Sequence, residues 1–323
     1  MRARLMVRGR ASAPRIGIFE EATHRVVDIP RCAVHHPLVN EVAAAAREAI
    51  RATGTRPYAD RPHAGALRAI QVVVERPTQT AQVVLVGRGD DPAPLAPLAD
   101  ALAARLGPRL HSLWWNGNPA RTNVILGPLW RRWSGPEAVR ERIGGADVFF
   151  PPGAFGQSHL DLADRLVERV QAQVPNGARL LELYAGCGPI GLGLLARVRR
   201  IVFVESAPDA VRGLRLGLAA RPAGESGRAE VVAAEAGTAA ARIADFDVVV
   251  ADPPRKGLDP PLLEALAASP PPLFVYAACD LDRFEAQAAR LLGGGRLRLA
   301  SLAAADLFPN TEHVETLARF EAR

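Results

Sequence analysis

Lysine is almost missing from this sequence: Lys256 is the only one, so the 40 Lys and Arg residues are nearly all arginine. With 34 Asp and Glu the formal net charge is +6, which suits an anionic partner such as RNA. Heavy use of Ala, Arg, Gly and Pro points to compositional bias, so charge alone decides little, although arginine grips phosphate through two parallel hydrogen bonds. Cysteine is scarce too. Cys32, Cys187 and Cys279 are widely spaced and form no C-x-x-C pair, which argues against a zinc or iron–sulfur site built from this chain alone. An odd, sparse set also excludes a disulfide framework and fits a reducing cytoplasm. No apolar run is long enough to span a bilayer, and the basic N-terminus lacks the apolar core of a secretory signal. Apolar residues at 49% and charged residues at 23% are ordinary for a globular protein, so disorder and fibrous structure are poor readings. The 323 residues allow one large domain or two ordinary ones.

Residues 1–150 read as an α+β domain. Segments 2–7 and 15–19 alternate like strands, 38–51 is Ala-rich with helical spacing, and 67–74 and 82–86 are β-branched runs expected to pair. Segment 97–106 predicts a helix with Pro97 in its first turn, and 110–115 and 122–126 predict strands, set off by turns at Gly117, Gly127 and Gly135. Strands not interleaved with helices suggest a mixed or antiparallel sheet. After Pro151-Pro152-Gly153 the pattern changes: residues 151–323 alternate short apolar strands (179–184, 201–204, 230–233, 247–251, 273–278 and 297–302) with helical stretches. That is the signature of a doubly wound, Rossmann-like α/β sheet.

Chemistry concentrates in this second domain. Glu182-Leu183-Tyr184-Ala185-Gly186-Cys187-Gly188-Pro189-Ile190-Gly191 follows a strand and is expected to open a helix, its glycines letting the backbone approach a ligand. Dinucleotide enzymes share this pattern, and a ligand-free tight turn is the plain alternative. Glu205 closes the next strand, where a carboxylate can take two ribose hydroxyls. Asp252-Pro253-Pro254-Arg255 ends the fourth strand, as expected where a methyltransferase using S-adenosylmethionine holds its target base; an ordinary loop start is the bland reading. Cys279 ends the following strand, so Asp252 and Cys279 can face one cleft at the carboxyl ends. A lone cysteine there is otherwise a small buried hydrophobe. Cys187 reads as packing. Cys32, near His35 and His36, lacks a fourth ligand and reads as structural.

A thiol in that place has a use. Carbon 5 of uracil is a poor nucleophile, but a thiolate added to carbon 6 makes carbon 5 enolate-like and able to accept a methyl group. A base must then remove the carbon 5 proton. Glu315 is the candidate, with Glu312 and His313 as local rivals and a solvated loop carboxylate as the plain alternative.

With these residues in view, the sequence resembles the RNA (uracil-5-)-methyltransferase family. The resemblance runs from near the N-terminus to the end and is most specific in 181–188, 252–258, 276–279, and Phe308-Pro309 through His313-Val314-Glu315. It implies a class I methyltransferase domain preceded by a smaller α+β central domain, Cys279 as nucleophile, Glu315 as base, and S-adenosylmethionine contacts from Gln157, Tyr184, Gly186, Glu205 and Asp252. It also implies an RNA substrate, with 23S ribosomal RNA expected ahead of transfer RNA. Three positions depart from the family pattern. Cys279-Asp280-Leu281 stands for Cys-Asn-Pro, and a carboxylate there raises the thiol's pKa unless Asp280 points away. Ser158-His159 follows Gln157, and Pro189 follows Gly188. Many relatives carry an N-terminal RNA-binding barrel and a four-cysteine cluster; this sequence shows neither and is expected to begin inside the central domain.

Trp114, Trp115, Trp130 and Trp133 lie among Asn116, Asn118, Arg121, Arg131 and Arg132, a mixture suited to stacking on unpaired bases. For any single tryptophan, core packing is the favoured reading. Among rival functions, a cytosine-5 enzyme would place a second Cys, and an amino-group methyltransferase an aromatic, where Arg255 stands. A non-catalytic RNA-binding paralogue and a nicotinamide oxidoreductase are the other classes.

Overall fold

A computed structural model describes residues 1–307 and 314–323, which fall into two compact units, Met1–Glu141 and Arg142–Arg323.

The first unit is a seven-stranded sheet with two helices. Its strands are β1 (Arg2–Arg10), β2 (Ala13–Phe19), β3 (Val26–Asp28), β4 (Leu67–Glu75), β5 (Thr80–Gly87), β6 (Leu110–Gly117) and β7 (Leu129–Ser134), in the order β3-β2-β1-β4-β5-β6-β7. All neighbours are antiparallel except β5 and β6. A parallel pair needs a crossover, and helix α2 (Ala96–Leu106) supplies it. Helix α1 (Pro37–Thr53) starts on a proline, is capped by the His36 ring nitrogen and stops at left-handed Gly54. Its Leu38, Val42, Ala46 and Ile50 recur at helical spacing and pack with Leu98 and Leu102 of α2 onto one face of the sheet.

Segment 122–126, expected to be a strand, is a loop. Side chains, not a ladder, satisfy its backbone. Buried Arg68 donates to the carbonyls of Asn118, Ala120 and Thr122 at 2.7, 2.6 and 2.9 Å, and Asn118 Nδ2 donates to those of Val124 and Ile125. The strand that pairs with β6 is β7, farther along.

β8 (Val139–Ile143) and β9 (Ala146–Phe150) form a two-stranded sheet where the chain passes into the second unit. That unit holds β10 (Arg179–Leu183), β11 (Arg200–Val204), β12 (Ala229–Val232), β13 (Val248–Ala251), β14 (Leu273–Ala278), β15 (Leu297–Ala305) and β16 (Glu315–Ala322). Helices α3 (Leu160–Ala172), α4 (Pro208–Ala219), α5 (Ala223–Ser226), α6 (Pro260–Ala268) and α7 (Leu281–Gly293) connect them. The sheet order is β12-β11-β10-β13-β14-β16-β15. The first five strands are parallel, as expected of a doubly wound sheet, and β16 inserts antiparallel between β14 and β15. β11, β13 and β14 are largely continuous apolar runs because both faces are covered, and β10 is interrupted by Glu182. The glycine turn after β10 opens no α-helix; its first helical turn is a 3₁₀ segment, Gly191–Leu194. Glu315, expected in a loop, begins β16.

Strand order reverses between β10 and β13, which places a ligand cleft outside their carboxyl ends. Beneath that point lies an uncommon core residue. Glu182, in the middle of β10, is 1% exposed, and its Oε2 has no hydrogen-bond partner among the described residues. An added Cβ on Gly191 would sit 2.1 Å from that oxygen, so only glycine fits above it. Burial drives the Glu182 carboxyl well above the usual range, the Gly191 amide offsets part of the rise, and Asp252 adds to it. Burial therefore favours the protonated form of Glu182 in the folded protein.

Because its folded pKa exceeds its unfolded one, the folded state holds a proton that the unfolded chain releases, and stability falls as pH rises above the unfolded value. Between its unfolded and folded values such a group contributes a slope of at most about 1.4 kcal/mol per pH unit. Urea melts of Glu182→Gln between pH 5 and 8 are expected to show a correspondingly flatter pH dependence than the parent protein. An unchanged slope would show that this carboxyl is ionised in the fold.

Candidate active site

Two neighbouring turns form one side of the cleft. Tyr184 leaves β10 with φ of 57°, a left-handed backbone that costs a non-glycine residue about 1 kcal/mol. Its hydroxyl accepts from the Asp259 amide at 2.9 Å, which ties the turn to the segment following β13. Glu205, just past β11, accepts from the amides of Gly186 and Ala207 at 2.8 and 2.7 Å. Its two oxygens are thus aimed by backbone donors and keep further lone pairs. The side of Gly186 where a Cβ would stand is open, with nothing within 4 Å. Gln157 lies half-buried in the loop before α3.

Three acidic groups gather at the other strand ends. Asp252 follows β13, Cys279 follows β14, and Glu315 starts β16. Ala278 pairs with Thr316 in antiparallel register, and Thr316 Oγ1 donates to the Ala278 carbonyl at 3.1 Å. The next residues outward, Cys279 and Glu315, therefore leave the paired strands at the same end. Glu315 is 4% exposed and Cys279 is half-buried. Asp252 is exposed at the end of β13. Its carboxyl is pushed up to about 7 by desolvation and then by Glu315; water in the cleft opposes part of that rise. Burial raises the Glu315 carboxyl, and Arg255 pulls it down. Burial also pushes the Cys279 thiol up, followed by Glu315 and Asp252, with Arg255 again acting in the opposite direction. Arg255 and Thr316 are thus part of the site. Arg255 stood in the Asp-Pro-Pro-Arg motif, while Thr316 carried no signal beyond its place after Glu315. In the same segment exposed Lys256 pairs with Asp259 at 2.9 Å.

The departures from the family pattern have local explanations. Asp280 is the N-cap of α7, its side chain accepting from the Arg283 amide at 2.9 Å. Asn and Asp cap equally well, so the exchange preserves the helix start. The carboxylates that raise the thiol are Glu315 and Asp252, with Asp280 not among them. His159 in turn caps α3, accepting from Leu162 N at 3.3 Å. Cys187 is buried, and Asn40 brackets Cys32 through two 3.0 Å hydrogen bonds to its backbone. Glu312, His313 and the Phe308-Pro309 pair lie outside the described residues. Trp114 and Trp115 are 5% and 3% exposed, and Trp130 and Trp133 pack against the same cores. The first two are core residues, not a surface for stacking. No helix among the described residues is long and apolar enough to cross a membrane.

Comparison with known proteins supports the methyltransferase fold. A family described as the methyltransferase small domain matches residues 145–261. The chain is 32% identical over 326 residues to an uncharacterized RNA methyltransferase of Protochlamydia amoebophila, covering 99% of this chain and 85% of that protein. It is 32% identical over 313 residues to an uncharacterized RNA methyltransferase of Gloeobacter violaceus, covering 95% of this chain and 66% of that protein. The crystal structure of Pyrococcus abyssi tRNA (uracil-54, C5)-methyltransferase with S-adenosyl-L-homocysteine superposes with a TM-score of 0.81 and 26% identity, covering 99% of this chain and 74% of that one.

The charges around Cys279 set how readily its thiolate forms. Alkylation of the free protein by iodoacetamide, followed against pH with Cys279→Ser as the blank, is expected to have a midpoint above that of an ordinary thiol. Glu315→Gln lowers that midpoint, Arg255→Leu raises it, and Asp280→Asn leaves it in place. A midpoint that moves with Asp280→Asn and ignores Glu315→Gln would overturn this assignment of the charges.

Proposed function

This chain belongs to the RNA methyltransferase family, and from that we infer that it transfers a methyl group from S-adenosylmethionine to carbon 5 of a uracil in RNA, through a covalent bond between Cys279 and carbon 6. The observation that carries the reading is the convergence of Cys279, Glu315 and Asp252 on one cleft beside the Gly186–Glu205 turn.

The turn fits the cofactor. Glu205 is held by two amides and has lone pairs left for two ribose hydroxyls, and the open side of Gly186 leaves room for a nucleoside against the backbone. Gln157, Tyr184 and Asp252 are assigned to the same ligand, Tyr184 through its ring because its hydroxyl is committed to Asp259. S-adenosylmethionine, when bound, supplies an electrophilic methyl group on a sulfonium.

The remaining work falls to the protein. Cys279 gives up its proton to solvent, which leaves Glu315 ionised for the later step, and its sulfur bonds to carbon 6 of the uracil. The electron pair of the carbon 5–carbon 6 double bond moves toward carbon 5 and the carbonyl at carbon 4, and carbon 5 takes the methyl group. Glu315 then removes the carbon 5 proton; the double bond re-forms and the sulfur leaves as thiolate. A buried carboxyl with a raised pKa is a better base for this step than a solvated one. Arg255 balances the negative charge while the thiolate is free. The uracil has to leave its stack to reach these groups.

Ribosomal RNA, 23S in particular, is the first substrate reading. The Pyrococcus abyssi neighbour acts on transfer RNA, which makes transfer RNA the second.

Mass spectrometry of nucleosides from ribosomal and transfer RNA, with and without the gene, is expected to show 5-methyluridine lost from one of the two. Loss from neither would refute the function. Cys279→Ala is expected to abolish turnover, and Glu315→Gln to trap RNA on the protein as a denaturation-resistant adduct. Losing charge-assisted hydrogen bonds in Glu205→Ala should weaken S-adenosylmethionine binding by roughly 10- to 100-fold, read by calorimetry.

A further inference from the structure

One buried side chain joins the segment after β13 to the strand that carries the thiol. Gln287, on α7, is 7% exposed. Its Oε1 accepts from the Tyr276 hydroxyl at 2.7 Å and from the Leu258 amide at 3.0 Å, and its Nε2 donates to the Leu258 carbonyl at 3.0 Å. Leu258 lies six residues after Asp252 and three after Arg255; Tyr276 lies on β14, three residues before Cys279. The same amide thus grips both backbone groups of one segment and a side chain of the other.

The neighbours leave this grip little freedom. Gly257 has φ of +74°, and a Cβ there would meet Gln287 Oε1 at 2.6 Å and Arg283 Cγ at 2.7 Å. Only glycine lets α7 seat on the segment. The Tyr276 ring lies 5.7 Å from Phe274 and 5.6 Å from Phe284, which fixes the direction of its hydroxyl. Beyond Leu258, the Asp259 amide is tied to Tyr184. The segment's other end bears Asp252 and Arg255, both of which act on Cys279. Where Leu258 docks on α7 therefore governs how far those charges stand from the sulfur.

We infer that Gln287 is a positioning residue: it locks the Asp252–Leu258 segment onto the helix that follows Cys279, and so sets the spacing between the thiol and its charged neighbours. Its effect on turnover rests on Cys279 being the nucleophile.

Gln287→Leu keeps the bulk and removes all three hydrogen bonds. Iodoacetamide alkylation of Cys279 in the free protein is expected to show a pH midpoint displaced from the parental one as Asp252 and Arg255 lose their places. Since small displacements of reacting groups are costly, kcat is expected to drop roughly 10- to 100-fold with KM for RNA little changed. Gln287→Glu serves if the leucine variant does not fold. When protonated, its carboxyl donates to the Leu258 carbonyl as the amide does; when ionised, it sets a negative charge against that carbonyl. Alkylation and turnover of this variant, relative to the unaltered protein, should therefore fall as pH rises. A folded leucine variant with the parental alkylation profile and kcat, or a glutamate variant whose ratio to the parent is flat in pH, would overturn the role. Absence of methyl transfer in the unaltered protein would count against the function, while the alkylation arm would still decide the part played by Gln287.

Discussion

The pairing of β16 with β14 decides on which face of the sheet Glu315 stands. Side chains alternate across a strand, so sliding β16 by one residue would send Glu315 to the opposite face of the sheet. The register is held far from the cleft. Phe320 pairs with Phe274, their rings stack at 5.8 Å, and both are fully buried. Ala318 opposite Tyr276 and Thr316 opposite Ala278 carry the alignment outward until Thr316 closes it with a side-chain bond. An aromatic pair in the core thus sets the position of a carboxylate some five residues away along the strand.

The same cleft concentrates groups that prefer to be uncharged. Glu182, Asp252, Glu315 and Cys279 all have raised pKa values, with burial as the first cause in each. Each also feels a neighbouring anion or Arg255, so protonating one eases ionisation of the next. A site of this kind resists holding several charges at once. The proposed reaction removes one proton from a thiol, which goes to solvent, and one from a ring carbon, which Glu315 accepts. A lysine in place of Arg255 would offer a more strongly hydrated point charge in place of a planar fork.

Much of the second unit was legible in the sequence because its strands are short apolar runs set between glycines and helices. Six of its seven sheet strands lie where the pattern put them. β16 was missed, since Arg319 and Glu321 interrupt its apolar alternation and the preceding motif drew Glu315 into a loop. Segment 122–126 was read as a strand for the opposite reason: Val124, Ile125 and Leu126 have strand-like side chains, but Arg68, Asn116 and Asn118 take the backbone bonds a ladder would use. The residues proposed for the site lie inside recognisable motifs. Those that act by holding others, such as Thr316 and Gln287, do not, and an isolated polar residue on an amphipathic helix or strand looks like surface until its neighbours are known.

Lys256 is the chain's single side-chain amine, and it stands exposed beside Arg255 in the segment that borders the thiol. Acylating reagents usually scatter over many lysines; here the side-chain product is confined to one place. A dye attached there reports from the rim of the cleft while Cys279 stays unmodified, so nucleic acid arriving at that rim can be followed optically without engineering a new attachment point.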